Sequence, residues 1–441
     1  MSSLLIRNGL IVTMNDSWDV VSGDVSIRDG TIAAVGNHHI AESHDRTIDA
    51  REGYVLPGFI QTHVHLCQTL FRGYADDLQL MDWLRTRVWP MEAAHTPASL
   101  RAAARLALTE LLLTGTTSVL TMETVHDTDA VFEAAAESGI RATIGKCMMD
   151  ATTGTPARLQ ETAQSSLDES RRLHKQWDGA AEGRLRAAFA PRFAVSCSRE
   201  LLEAVATLSA ETRTLVHTHA SESRQEIAIV RELSGLSNVE YLAAVHLASP
   251  RLCAAHCVWV GDREQALLAD HDIKVMHCPS SNLKLGSGLA PVAELRQRGV
   301  TVSLGADGAA CNNRLDMFEE MRLAALLQAT RLNPGALTAR DALTMATRSG
   351  ARTLGVEHEL GSIEIGKRAD VIVVDRGRLH HSPDRDPYST LVYAARGSDV
   401  RTTIVGGEVL VDEFAPARVD RDEIAAEAAA AAKALATRAG L

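Results

Sequence analysis

Short runs of β-branched and apolar residues alternate with amphipathic stretches through most of the chain. Eight runs have the length of strands: GFIQTHVH, TTSVLTM, RATIGKCM, LRAAFAPR, LVHTHA, LCAAHC, KVMHCP and TVSLGAD. Helix-like segments lie between them. In PASLRAAARLALTELLLTG, Thr96 is placed to accept a free N–H at the helix start, and Gly115 to stop it. Eight strand–helix units predict an α/β fold, a closed (β/α)₈ or TIM barrel, with function gathered at the C-terminal ends of the strands. A doubly wound sheet is the rival architecture, but no GxGxxG phosphate loop follows the first strand.

The pattern changes at both ends. In DVSIRDGTIAAVG the Asp29-Gly30 pair separates two short strands, and in RTTIVGGEVLV the pair Gly406-Gly407 does the same. Such pairs suit type I′ hairpins, whose two central residues need positive φ. The two β-rich pieces, residues 1–57 and 365–413, are therefore expected to join in a small β-sandwich domain beside a barrel spanning 58–364. Residues 414–441 are Ala-rich and charged, and predict a helix at the surface or at an oligomer contact.

A chain of 441 residues is too long for one small domain and suits a barrel with an addition. Its formal net charge is −11, and no Lys/Arg block stands out, which excludes a nucleic-acid partner. No apolar run reaches the roughly 18 residues of a membrane span, and the N-terminus lacks a signal-peptide pattern. Seven scattered cysteines make no disulfide framework, so a reducing cytoplasm is expected. Cys253 and Cys257 read as small hydrophobes on a strand rather than as a metal pair.

Against this background the strand ends stand out. His63 and His65 end the first strand, His219 the fifth, His256 the sixth, His277 the seventh and Asp307 the eighth. Such residues are costly in an apolar strand unless paired or liganded. In HVH the two imidazoles project to one face, so one strand can deliver two nitrogens to one ion. With His219 and Asp307 the set becomes three nitrogens and a carboxylate, an open site of the catalytic kind. Glu222 follows three residues after His219, where a general acid/base is expected.

These motifs together carry a resemblance. PGFIQTHVH, HTHASE, AAHC, HCPSSNLKLGSGLAPV and LGADGAACNNRLDMFEEMRLAALLQ resemble the amidohydrolase superfamily. The branch resembled is the metal-dependent aminohydrolases acting on S-adenosylhomocysteine, 5′-methylthioadenosine and 5′-deoxyadenosine, with guanine deaminases and triazine hydrolases as relatives. The similarity runs to about Asp412. It implies that His63, His65, His219 and Asp307 bind one divalent ion, zinc or alternatively iron. Binuclear members place a carboxylated lysine on strand four; LRAAFAPR has none, which implies a single ion. The implied reaction is hydrolytic deamination. The cation acidifies water, Glu222 passes a proton to the ring nitrogen, His256 stabilises the developing oxygen charge, and Asp307 helps protonate the departing ammonia.

The resemblance also marks a substrate set. Trp83 and Glu92 match residues that contact the nucleoside, the Glu through ribose hydroxyls, and Gln68 is expected near the ring edge. Arg158 matches an arginine of the homocysteine-accepting relatives. Their strand-three arginine and the histidine after strand four correspond here to Lys146 and Arg192. Lys146 reads as a substrate contact or a solvated residue, and Arg192 as a ring-oxygen contact or a salt-bridge partner. The expected partner is a small amino-heterocycle, foremost an adenosine-type nucleoside, with a guanine-type ring or an s-triazine as alternatives. A non-enzymatic scaffold is disfavoured because every metal ligand is kept. A symmetric homo-oligomer is expected.

Overall fold

The computed structural model describes residues 3–36, 43–151 and 154–441. The eight barrel strands are Phe59–His65, Thr116–Met122, Arg141–Met148, Leu185–Pro191, Val216–Ala220, Leu252–His256, Lys274–His277 and Val302–Leu304, each parallel to its neighbours. The barrel closes through Asp307–Gly308, which pairs with Val64 and His65 of the first strand. Thr62 adds a side-chain bond across the same seam, its hydroxyl donating to the Leu304 carbonyl at 3.0 Å. The eighth strand is thus interrupted at residues 305–306. A Cβ on Gly305 would lie 2.5 Å from the His63 carbonyl oxygen, so only glycine permits this approach.

Pro97–Leu113, the helix between the first two strands, starts as expected. Thr96 Oγ1 accepts from Ser99 N at 3.2 Å and Ser99 Oγ from Thr96 N at 2.9 Å, a reciprocal capping box. Gly115, with φ 88°, follows its end.

The chain ends meet in a second sheet. The early strands Ser3–Val12 and Tyr54–Pro57 pair with each other, and Tyr54–Pro57 pairs antiparallel with Val371–Val374. Eight of the sheet's nine described strands form one continuous ladder, reaching Ala415–Pro416, and Arg46–Asp49 pairs off it with Ser3–Val12. It wraps its own cluster of buried residues, among them Ile6, Val25, Ile27, Val371, Val373 and Ile404. Both hairpins have two-residue turns with positive φ: Asp29 at 48° and Gly30 at 75°, Gly406 at 56° and Gly407 at 78°. A bidentate pair fastens this sheet to the barrel, Arg141 Nε donating to Asp370 Oδ2 at 2.7 Å and Nη2 to Oδ1 at 3.1 Å.

Arg421–Ala439 forms the C-terminal helix and does not stand free. It buries Ile424, Ala428 and Leu435 and packs on Pro97–Leu113 and on the segments Leu66–Phe71 and Trp89–Ala93. Arg105 pairs with Glu427, and Arg438 Nε donates to the Ala94 carbonyl at 2.9 Å. All seven cysteines are buried and free. Among the described residues, no helix is long and apolar enough to cross a membrane.

Candidate metal centre and active site

His63, His65, His219 and Asp307 converge at the C-terminal mouth of the barrel, their ligand atoms all within 4.8 Å of one another. Backbone carbonyls set the histidine tautomers, because a carbonyl can only accept. His65 Nδ1 donates to Met122 O at 2.7 Å, and His219 Nδ1 to Arg192 O at 2.7 Å. His217 Nδ1 donates to Thr121 O at 3.3 Å, so its Nε2 accepts from His63 Nδ1 at 2.6 Å. Each of the three candidate ligands is thereby left with a bare Nε2 lone pair. The Nε2 atoms of His65 and His219 lie 3.2 Å apart, and Asp307 Oδ1 lies 3.3 Å from His63 Nε2 and 3.2 Å from His65 Nε2. Facing lone pairs repel unless a cation lies between them. The donor set, three imidazoles and one carboxylate with fixed outer partners, therefore fits a zinc- or iron-type divalent ion.

The electrostatics agree at two of the three rings. Burial pushes His63 down to about 4 and His219 well below the usual imidazole range, which keeps both neutral. At His65 burial is outweighed by the neighbouring Asp307 carboxylate, which raises the ring; that proton must give way to a cation for Nε2 to be bare. Burial opposes ionisation of Asp307, but the adjoining His63 and His65 rings outweigh it and hold the carboxyl well below its ordinary value. Asp307 sits at φ 63° and His256 at φ 72°, both in the left-handed region. Such backbone is strained for non-glycine residues and clusters where a side chain must be aimed.

Two further groups face the cluster. His256 Nε2 lies 3.7 Å from Glu222 Oε2 and 3.8 Å from Asp307 Oδ2. Burial raises the Glu222 carboxyl to about 7, so it exchanges a proton near neutrality. Its backbone N–H donates to Glu226 Oε2 at 2.7 Å, which fixes the turn after strand five. These atoms open into a narrow cavity of about 20 Å³. Leu80, Trp83, Leu84, Phe193 and Leu285 form its apolar wall, and Gln68 and Arg192 join the polar side.

The outer residues divide. Trp83 and Gln68 line the cavity; Gln68 Nε2 donates to Glu92 Oε1 at 3.1 Å and its Oε1 is unpartnered. Glu92 lies behind them, clasped by Arg192 through Nη1 at 2.6 Å and Nη2 at 3.3 Å. Arg192 is thus a salt-bridge partner that also borders the cavity. Arg158 is half-exposed and pairs with Asp127 at 2.9 Å, away from the cavity lining. Lys146 is neither solvated nor turned to the cavity: it is buried and bound to both oxygens of Glu161 at 2.8 Å, an ion pair that sequence spacing does not reveal. His277 is buried with both ring nitrogens unpartnered among the described residues, and it stands outside the ligand group.

Several participants were not singled out from sequence. His217 had a visible signal, an alternating pair with His219 on one strand face. Glu123, which accepts from Cys67 N at 2.9 Å and holds the turn after HVH, had none.

A model of the amidohydrolase family matches residues 54–410. The chain belongs to that family. Its fold, its donor set and this membership make it a metal-dependent hydrolase. It is 40% identical over 440 residues to a 5′-deoxyadenosine deaminase of Methanosarcina barkeri, covering 99% of each chain. Among solved structures it is similar to a zinc-bound adenosine deaminase from Xanthomonas campestris, with TM-score 0.93, 32% identity and 99% of both chains covered. It is also similar to a zinc-complexed atrazine chlorohydrolase from Arthrobacter aurescens TC1, with TM-score 0.91, 29% identity, 97% of this chain and 100% of that one.

Proposed function

We propose that this amidohydrolase removes the 6-amino group of an adenosine-type nucleoside with a small uncharged 5′ end, 5′-deoxyadenosine first, releasing ammonia. The observation that carries the reading is the convergence of three bare imidazole nitrogens and a carboxylate beneath Glu222 and His256. His63, His65, His219 and Asp307 would hold one divalent ion, zinc before iron. Bound there, the ion supplies Lewis acidity and makes water a nucleophile at neutral pH.

The chain's own groups handle the protons. Glu222, poised at about 7, takes a proton and gives it to the ring nitrogen beside the amino-bearing carbon. His256, its Nδ1–H held on Asn282 Oδ1, takes a proton at Nε2 and in that form stabilises the negative charge developing on the attacking oxygen. Asp307, beside His256, accepts the second proton and passes it to the departing amine. Gln68 and Trp83 are the assigned ring contacts, and Glu92 the carboxylate nearest the ribose end, held by Arg192. The cations matched to homocysteine-accepting relatives are engaged elsewhere, Lys146 by Glu161 and Arg158 by Asp127. No role as a substrate contact is kept for Arg158.

A screen of 5′-deoxyadenosine, methylthioadenosine, adenosine, S-adenosylhomocysteine, guanine and aminotriazines tests the reading, with ammonia, chloride and alkylamine measured alongside metal content. Ammonia from the first two, with S-adenosylhomocysteine poorest among the adenosines, is expected. Activity on guanine or a triazine alone overturns it.

A further inference from the structure

Strand seven brings no ligand to the centre, yet the loop that follows it touches all three groups that handle protons. Ser281 Oγ donates to Asp307 Oδ2 at 2.7 Å. His256 Nδ1 bonds Asn282 Oδ1 at 2.9 Å. Ser287 Oγ donates to Glu222 Oε1 at 3.3 Å. Asp307, His256 and Glu222 come from three different parts of the barrel, strand eight, strand six and the turn after strand five. One short stretch, CPSSNLKLGSG, meets all of them.

The bonds share a logic. Each engages one polar atom of its target and turns the other toward the centre, Asp307 Oδ1 also accepting from the Gly308 N–H at 2.7 Å. Asp307 keeps Oδ1 toward the imidazoles, Glu222 keeps Oε2 toward His256, and His256 keeps Nε2 toward both carboxylates. A carboxylate or imidazole free to rotate offers either atom, and displacement by about 1 Å costs roughly 100-fold in rate.

The loop is also braced without these contacts. Ser287 N donates to Asn282 O at 2.8 Å and Trp259 Nε1 to Ser287 O at 2.7 Å, while the Arg224 guanidinium lies 4.1 Å over the Trp259 ring. Lys284 pins the helical turn to Asp76 and Asn313. Loss of one hydroxyl or amide therefore leaves the loop's path intact.

We propose that Ser281, Asn282 and Ser287 are positioning residues, through which one loop selects the working atom of Asp307, His256 and Glu222. This assignment rests on the deaminase reading of the same site. Its test compares Asn282→Ala, Ser287→Ala and Ser287→Thr with the parent chain by steady-state ammonia release, bound metal per chain and ¹⁵N spectra of histidine-labelled, zinc-loaded protein. Both alanine variants are expected to lose about 10- to 100-fold in kcat, with KM and metal content unchanged within about twofold. Ser287→Thr keeps the hydroxyl and recovers most of kcat. The His256 resonances place its proton on Nδ1 in the parent, and in Asn282→Ala the proton redistributes between the two nitrogens. Unchanged kcat in both alanine variants overturns the assignment, as does a loss of kcat that tracks loss of metal. So does a His256 tautomer indifferent to Asn282. The spectra require no substrate. A parent chain that releases no ammonia therefore overturns the deaminase reading, while the tautomer still decides this one.

Discussion

Burial holds the Glu222 carboxyl at about 7, some distance above an ordinary glutamate, and Ser287 is the one side-chain donor to it among the described residues. A base must be unprotonated to take up a proton, so kcat/KM is expected to fall on the acid side with a limb near pH 7. A limb well below pH 6 would show that the cation, rather than burial, sets this group. Glu222→Gln removes the proposed base while keeping its size. It is expected to lower turnover roughly 10²- to 10⁴-fold with metal content unchanged, measured by ammonia release and metal analysis. The spacing of Glu222 from His219 was enough to mark it in the sequence. The Lys146–Glu161 pair was not legible, because residues 15 apart meet only when the loop after strand three folds back.

At the level of the element, the eighth strand shows what periodicity conceals. TVSLGAD reads as one strand, yet Val302–Leu304 stops at Gly305, and the chain resumes at Asp307 in left-handed backbone. The break lets the His63 main chain press against Gly305 and turns the carboxylate into the ligand group. Gly305→Ala would set a Cβ 2.5 Å from His63 O and 2.7 Å from His63 N. We expect a loss of about 1–3 kcal/mol in denaturant unfolding together with weakened metal retention; a variant of parental stability and metal content would show that the seam yields freely. The hairpins at Asp29-Gly30 and Gly406-Gly407, by contrast, were fully legible, since their φ requirement is local.

For the whole molecule, the candidate centre would be a clamp across the barrel. Its four candidate ligands lie on strands one, five and eight, and their lone pairs repel one another without a positive charge among them. A cation that binds only the folded chain must therefore stabilise all of it. Stripping the metal with a chelator is expected to lower the melting temperature. Restoring zinc should raise it in step with the logarithm of free metal, worth about 4 kcal/mol at a thousandfold excess over Kd. A melting temperature indifferent to metal would contradict a clamp.

The sequence by itself determined the strand–helix alternation, the closed barrel, the hairpins at both ends, and the histidines and aspartate that end the strands. Those features follow from local periodicity and from the cost of polar groups in apolar strands, which any window of the chain displays. Only the tertiary structure decided which polar residues meet. It retired Lys146 and Arg158 into ion pairs, clasped Glu92 with Arg192, left His277 outside the ligands, and gave the loop after strand seven its hold on three partners. Those outcomes depend on distances between segments far apart in the chain, which hydrophobic pattern does not encode.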